Sequence, residues 1–110
     1  MTDKEIITHY RDIVFNIYYL KEQIAWNKKH NLSFAKQAKE FVEAVKALQR
    51  FEELIDSIKD RRTRNIICLR YALGESERDT AYRMRVSRGT VSRICAEVLK
   101  SLEDSPLSVQ

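Results

Sequence analysis

The stretch Glu77-Arg78-Asp79-Thr80-Ala81-Tyr82-Arg83-Met84-Arg85-Val86-Ser87-Arg88-Gly89-Thr90-Val91-Ser92-Arg93-Ile94 decides the fold. Ser76 stands before it with Asp79 three residues on, which is capping-box spacing. The spacing predicts a short helix over 77–84. Arg85-Val86 form a tight turn, and Ser87 is a good N-cap for a last helix running to about Glu103. Two helices joined this closely need a small residue where they approach, and Ala81 fills that place. They need an apolar residue just after the turn, and Val86 supplies it. Val91, Ile94 and Val98 then recur at steps of three and four, the spacing of one inward helix face. The opposite face carries Arg88, Gly89, Ser92, Arg93 and Ala96.

That outer face is small, polar and basic. Small side chains let a helix enter a DNA major groove deeply, and arginine reads guanine edges or phosphates there. Ser87 and Thr90 lie at the helix start, where hydroxyls and free N–H groups can hold a phosphate. The candidate double-stranded-DNA-binding set is therefore Arg78, Arg85, Ser87, Arg88, Gly89, Thr90, Ser92 and Arg93. Four arginines and no acid lie from Arg83 to Arg93. A run of charge is ordinarily only a solvated face. Here it coincides with Ala81, Val86, Ser87, Thr90, Val91 and Ile94 at helix-turn-helix positions, which favours the binding reading.

Outward from this stretch the charge changes its chemistry. Residues 1–59 carry eight lysines and two arginines, and residues 60–110 carry nine arginines and one lysine. Arginine is the better fork for phosphate and guanine, so the second half is the expected nucleic-acid side. Only 2 glycines and 1 proline in 110 residues argue against an all-β chain. The abundance of Lys, Glu, Ala, Leu and Arg favours helix. Cys68 and Cys95 lie among apolar neighbours without metal or disulfide spacing, and buried reduced thiols are expected. No signal peptide or long apolar run is present, so a cytoplasmic chain with no membrane partner is expected.

Upstream, Thr2 and Glu5 open a predicted helix over 3–29. Ile6, Tyr10, Ile13, Ile17, Leu20 and Ile24 alternate steps of four and three, with Ile7 and Val14 beside them. Asn31 is the expected stop. Ser33 is the expected cap of a second helix, in which Phe34, Ala38, Phe41, Val45 and Leu48 continue the alternation. Glu52 then falls where an apolar residue was due, and the stripe shifts to Phe51, Ile55 and Ile58. A phase change of this kind marks a change of partner. The first part of this helix is expected to pack on helix one, and the last part on the C-terminal module. The short link at Asn31-Leu32 predicts an antiparallel hairpin. Its seams serve an intramolecular core or a homodimer, and some self-association through the N-terminal helices is expected. Tyr18, Tyr19 and Trp26 are read as core or interface. A third helix is predicted over Arg61–Leu73, continuous with the second or kinked near Asp60. Gly74 is its left-handed cap. Pro106 ends the last helix and leaves 105–110 as a flexible tail. The overall expectation is all-α: a hairpin over 1–59, then a three- to four-helix module over 60–104.

Residues 60–102 resemble region four of bacterial sigma factors. The residues that carry the resemblance are Arg64-Asn65-Ile66-Ile67-Cys68-Leu69-Arg70-Tyr71-Ala72-Leu73-Gly74, the stretch quoted first, and Val98-Leu99-Lys100-Ser101-Leu102. They are also similar to small phage regulators of the ArpU and RinA types. The resemblance implies a phage- or prophage-encoded transcription regulator that uses a helix-turn-helix and has RNA polymerase among its partners. Two departures stand out. Arg85 occupies the turn position where the family has glycine, and residues 1–59 carry no match to the promoter-melting region of a sigma factor.

Two alternatives share the helix-turn-helix: a phage DNA-packaging or recombination accessory, and a polymerase-binding interaction module. An enzyme is not expected, because no His, Cys or carboxylate cluster has catalytic spacing and no glycine-rich phosphate loop is present. No cofactor or metal is expected.

Overall fold

The computed structural model describes residues 1–104, with side chains through Glu103, and the tail expected over 105–110 lies outside them. Every regular element among the described residues is helical. The helices are α1 Asp3–Thr8, α2 Tyr10–Lys29, α3 Ala35–Ser57, α4 Arg61–Ile67, α5 Glu77–Met84 and α6 Arg88–Asp104, with a π turn at Cys68–Ala72 continuing α4. No helix among the described residues is long and apolar enough to cross a membrane.

The helix expected over 3–29 is broken at His9, whose φ of −109° and ψ of 18° leave the helical region. Just before it, the Thr8 hydroxyl donates back to the carbonyls of Lys4, at 3.0 Å, and Glu5, at 3.4 Å. Such back-bonding bends helices. The bend separates two packing tasks. It lets α1 turn Ile6 and Ile7 into the C-terminal core while α2 runs along α3. The predicted capping box forms at the start of α1: the Thr2 hydroxyl accepts from Glu5 N–H and the Glu5 carboxylate accepts from Thr2 N–H. These bonds to Thr2 hold the Glu5 carboxyl below its ordinary range.

The pair α2 and α3 is antiparallel. At one end the Tyr10 ring stacks on Phe51 at 4.0 Å between centroids, and at the other Asn27 donates to the Ser33 carbonyl at 2.9 Å. Ile13 and Leu20, from the sequence seam, are buried against α3, so the seam is consumed within one chain. Asn31 adopts the left-handed conformation at φ 57° and closes α2. Ser33 is not the cap of α3. Phe34 occupies that position without a side-chain cap bond, because the Ser33 backbone is held by Asn27 instead.

The last turns of α3 change partner as the phase shift predicts. Phe51, Leu54 and Ile55 join Ile6, Ile7, Ile66, Ile67, Ala81, Val91, Ile94 and Cys95 in one hydrophobic cluster. This cluster crosses residue 60, so the core joins the two segments drawn from the sequence. Arg50 reinforces the junction with two hydrogen bonds to Asp3, at 3.0 and 2.9 Å, and one to Glu53 at 3.1 Å. α3 and α4 are separate helices. Ile58 is extended, and the Asp60 carboxylate caps α4 by accepting from Thr63 N–H at 2.9 Å and its hydroxyl at 2.7 Å. Those bonds lower the Asp60 pKa.

The end of α4 widens into the π turn, which periodicity alone does not predict. The turn keeps Cys68, Tyr71 and Ala72 all against the core. Gly74 follows at φ 72°, as expected of a left-handed cap. A side chain there would also strike the Arg11 guanidinium. Cys68 and Cys95 are free thiols, both pushed up in pKa chiefly by burial. The whole measures 54 × 32 × 17 Å.

Candidate nucleic-acid interface

The turn between α5 and α6 is built from local bonds. Ser76 caps α5 by accepting from Asp79 N–H at 3.0 Å. At the other end Arg85 is left-handed, φ 57° and ψ 45°. The Val86 N–H reaches the Ala81 carbonyl at 3.0 Å, and the Arg85 N–H reaches the Tyr82 carbonyl at 3.3 Å. This pair of bonds is a Schellman ending, and it aims the next residues across α5. Ser87 caps α6, accepting from Thr90 N–H at 3.0 Å, with the two hydroxyls 2.9 Å apart.

Helical phase then sorts α6 into two faces. Val91 is fully buried, Ile94 is 6% exposed, and Val98 is half-buried against the same core. Ala81 is buried opposite them. On the outer face Arg88, Gly89, Ser92, Arg93 and Ala96 are all exposed. Of the remaining sequence candidates, Arg78, Arg85 and Ser87 are exposed and Thr90 is half-buried. The structure thus gathers Arg85, Ser87, Arg88, Gly89, Thr90, Ser92 and Arg93 along the turn and one face of α6, and sets Arg78 near the start of α5.

The arginines are not equivalent. Arg83 donates twice to the Glu75 carboxylate, at 2.9 and 2.6 Å, and this pairing raises its pKa. Its charge is partly spent within the protein. Arg93 meets Glu97 one turn along at 3.2 Å, in a pair exposed on both sides. Such pairs contribute little and are readily exchanged. Arg78, Arg85 and Arg88 have no acidic partner within ion-pair distance among the described residues. Arg85 and Arg88 at the start of α6, and Arg78 near the start of α5, can each meet an anion without first breaking an ion pair.

Gly89 adds room. A Cβ built there meets only the Ser87 Oγ, at 3.8 Å, so nothing inside the protein requires glycine. The missing side chain costs the helix some stability and leaves room for whatever approaches from outside.

One exposed group escapes the sequence reading. Tyr82 is 89% exposed, beside Arg83 and Arg85 in a shallow hollow shared with Glu75 and Asp79. Its signal was available: Thr80 and Ala81 face inward, so helical phase turns Tyr82 out. A phenol there offers a hydroxyl to a phosphate and a flat face to a sugar.

Comparison with protein-family models, curated protein sequences and solved structures finds no match for this chain.

Proposed function

We propose that the protein is a sequence-specific DNA-binding transcription regulator of the helix-turn-helix type, phage- or prophage-encoded like the proteins it resembles, which inserts the start of α6 into the major groove. The observation that carries this reading is the division of α6. Val91 and Ile94 are sealed into the core while Arg88, Gly89, Ser92 and Arg93 stand in solvent beside Arg85. An inward apolar face fixes the helix as a rigid projection. An outward face of small and basic side chains then supplies both access and chemistry.

In this reading Arg88 and Arg93 reach base edges, and Arg85 with Arg78 contacts phosphates on either side. The Arg88 and Gly89 N–H groups at the helix start add a positive end for a phosphate. Phosphate contacts set the position, and base contacts set the sequence.

Selection of bound duplexes from a random pool tests the proposal. The parent protein should enrich a defined motif. Arg88→Ala should lower affinity for that motif by about 1–3 kcal/mol and relax preference at one position. A pool that stays random with the parent protein, or a motif that Arg88→Ala enriches equally well, contradicts the reading.

A further inference from the structure

The α2–α3 pair uses one side of α2. Its other side carries a second stripe that nothing among the described residues covers: Asp12, Phe15, Tyr19, Glu22, Trp26 and Lys29, all exposed. The steps run three, four, three, four, three, the spacing of a helix–helix seam. Phe15 is 75% exposed and Trp26 57%, with Tyr18 alongside at 65%. Single exposed apolar residues need no explanation, but a contiguous aromatic face does.

The stripe is symmetric about the midpoint between Leu20 and Lys21. We propose that α2 pairs with α2 of a second copy of this chain, antiparallel about that midpoint, to form a two-fold homodimer. In this register Phe15 faces the partner's Trp26, Tyr19 faces the partner's Glu22, and Asp12 faces the partner's Lys29. Each contact occurs twice, as a two-fold interface requires. Asp12, Glu22 and Lys29 are in no ion pair among the described residues. Gln23 donates to the Tyr19 oxygen at 2.9 Å, which leaves the phenol proton for a carboxylate acceptor. Trp26 is held by tilted contact with His30 at 4.1 Å between ring centroids. An anchor restrained before binding loses less entropy on association. Antiparallel pairing also sets the two helix dipoles side by side and opposed, each positive end beside the partner's negative end.

The area suits a dimer of modest affinity. At 150–250 Å² for a whole aromatic side chain, the exposed fractions amount to roughly 500 Å² of ring surface per copy. The flanking charged side chains bring this toward the roughly 800 Å² per partner of a standard interface. The proposal is independent of the DNA reading, since no residue is shared between the two surfaces.

Sedimentation equilibrium of the full chain, from low micromolar to a few hundred micromolar, tests it. The expected result is a monomer–dimer equilibrium reaching twice the chain mass. Phe15→Ser with Trp26→Ser should raise the dissociation constant by roughly a hundredfold without changing the far-ultraviolet spectrum, as truncation of interface aromatics does. Asp12→Lys alone, or Lys29→Asp alone, creates two like-charge contacts and should weaken the dimer roughly tenfold. Mixing those two variants restores opposite charges at both ends, so the mixture should dimerise as well as the parent. A monomer at all concentrations, a species larger than two, a dimer indifferent to the serine pair, or a mixture no better than its components each overturns the proposal.

Discussion

Arg85 carries the sharpest conflict between fold and site at the scale of single residues. A non-glycine residue in the left-handed region costs about 1 kcal/mol, and Arg85 sits there at φ 57°. Glycine would relieve this strain. Arg85→Gly should therefore raise stability by about 1 kcal/mol in urea unfolding while lowering the salt slope of DNA binding by about one unit. A variant that is both more stable and equally salt-dependent would remove Arg85 from the phosphate contacts. Asp60 offers a test by pH. Its capping bonds hold its carboxyl below the ordinary value, so its contribution is present at neutral pH and is lost as pH falls through the lowered folded value. Asp60→Asn keeps a capping oxygen without the charge. It should be slightly less stable than the parent at pH 7, and the difference should close as pH falls through the lowered Asp60 value. Urea midpoints across that range check the convergence.

At the scale of elements, legibility followed locality. The starts of α1, α5 and α6 were readable because each is written in one hydroxyl and its neighbour three residues on. Ser76 and Ser87 needed no tertiary information. The break at His9 was not readable, because it depends on where Ile6 and Ile7 are buried, and those partners lie far along the chain. Ser33 has the side chain of a cap but does not serve as one for a related reason: Asn27, from the preceding helix, holds its carbonyl. The π turn after Ile67 satisfies three side chains against a shared core, which spacing along one helix cannot reveal. Most of the candidate site was legible because the inner face of α6 fixes the outer face by phase. The same phase argument turns Tyr82 outward from α5. Gly89 provides an element-level test. Glycine inside a helix costs about 1 kcal/mol relative to alanine, and its Cβ site is open. Gly89→Ala should stabilise α6 by up to that amount, whereas Gly89→Glu should fold normally and abolish motif binding through bulk and charge. Normal binding by Gly89→Glu would place the DNA elsewhere.

At the scale of the whole molecule, one core ties the first helix to the last. Ile7 is 1% exposed in the cluster that also holds Val91 and Ile94. Ile7→Ala should cost about 2–5 kcal/mol by cavity formation, and it should shift the unfolding of α6 together with that of α1. Exchange rates of α1 and α6 amides report this directly. Independent shifts would mean that the two halves unfold separately. The antiparallel α2–α3 pair, by contrast, contributes Phe51, Leu54 and Ile55 to this core at one end and presents the aromatic stripe of α2 along its outside. The molecule thus sets its basic helix and its aromatic stripe on different elements, and the two surfaces can be altered separately.

Contact between DNA and one face of α6 is measured by amide chemical-shift mapping with a selected duplex. The largest changes should fall between Arg85 and Arg93, foremost at the Arg88 and Gly89 N–H groups, and they should weaken as salt rises. No change at low salt, or changes concentrated on the α2–α3 pair with α6 silent, would contradict it.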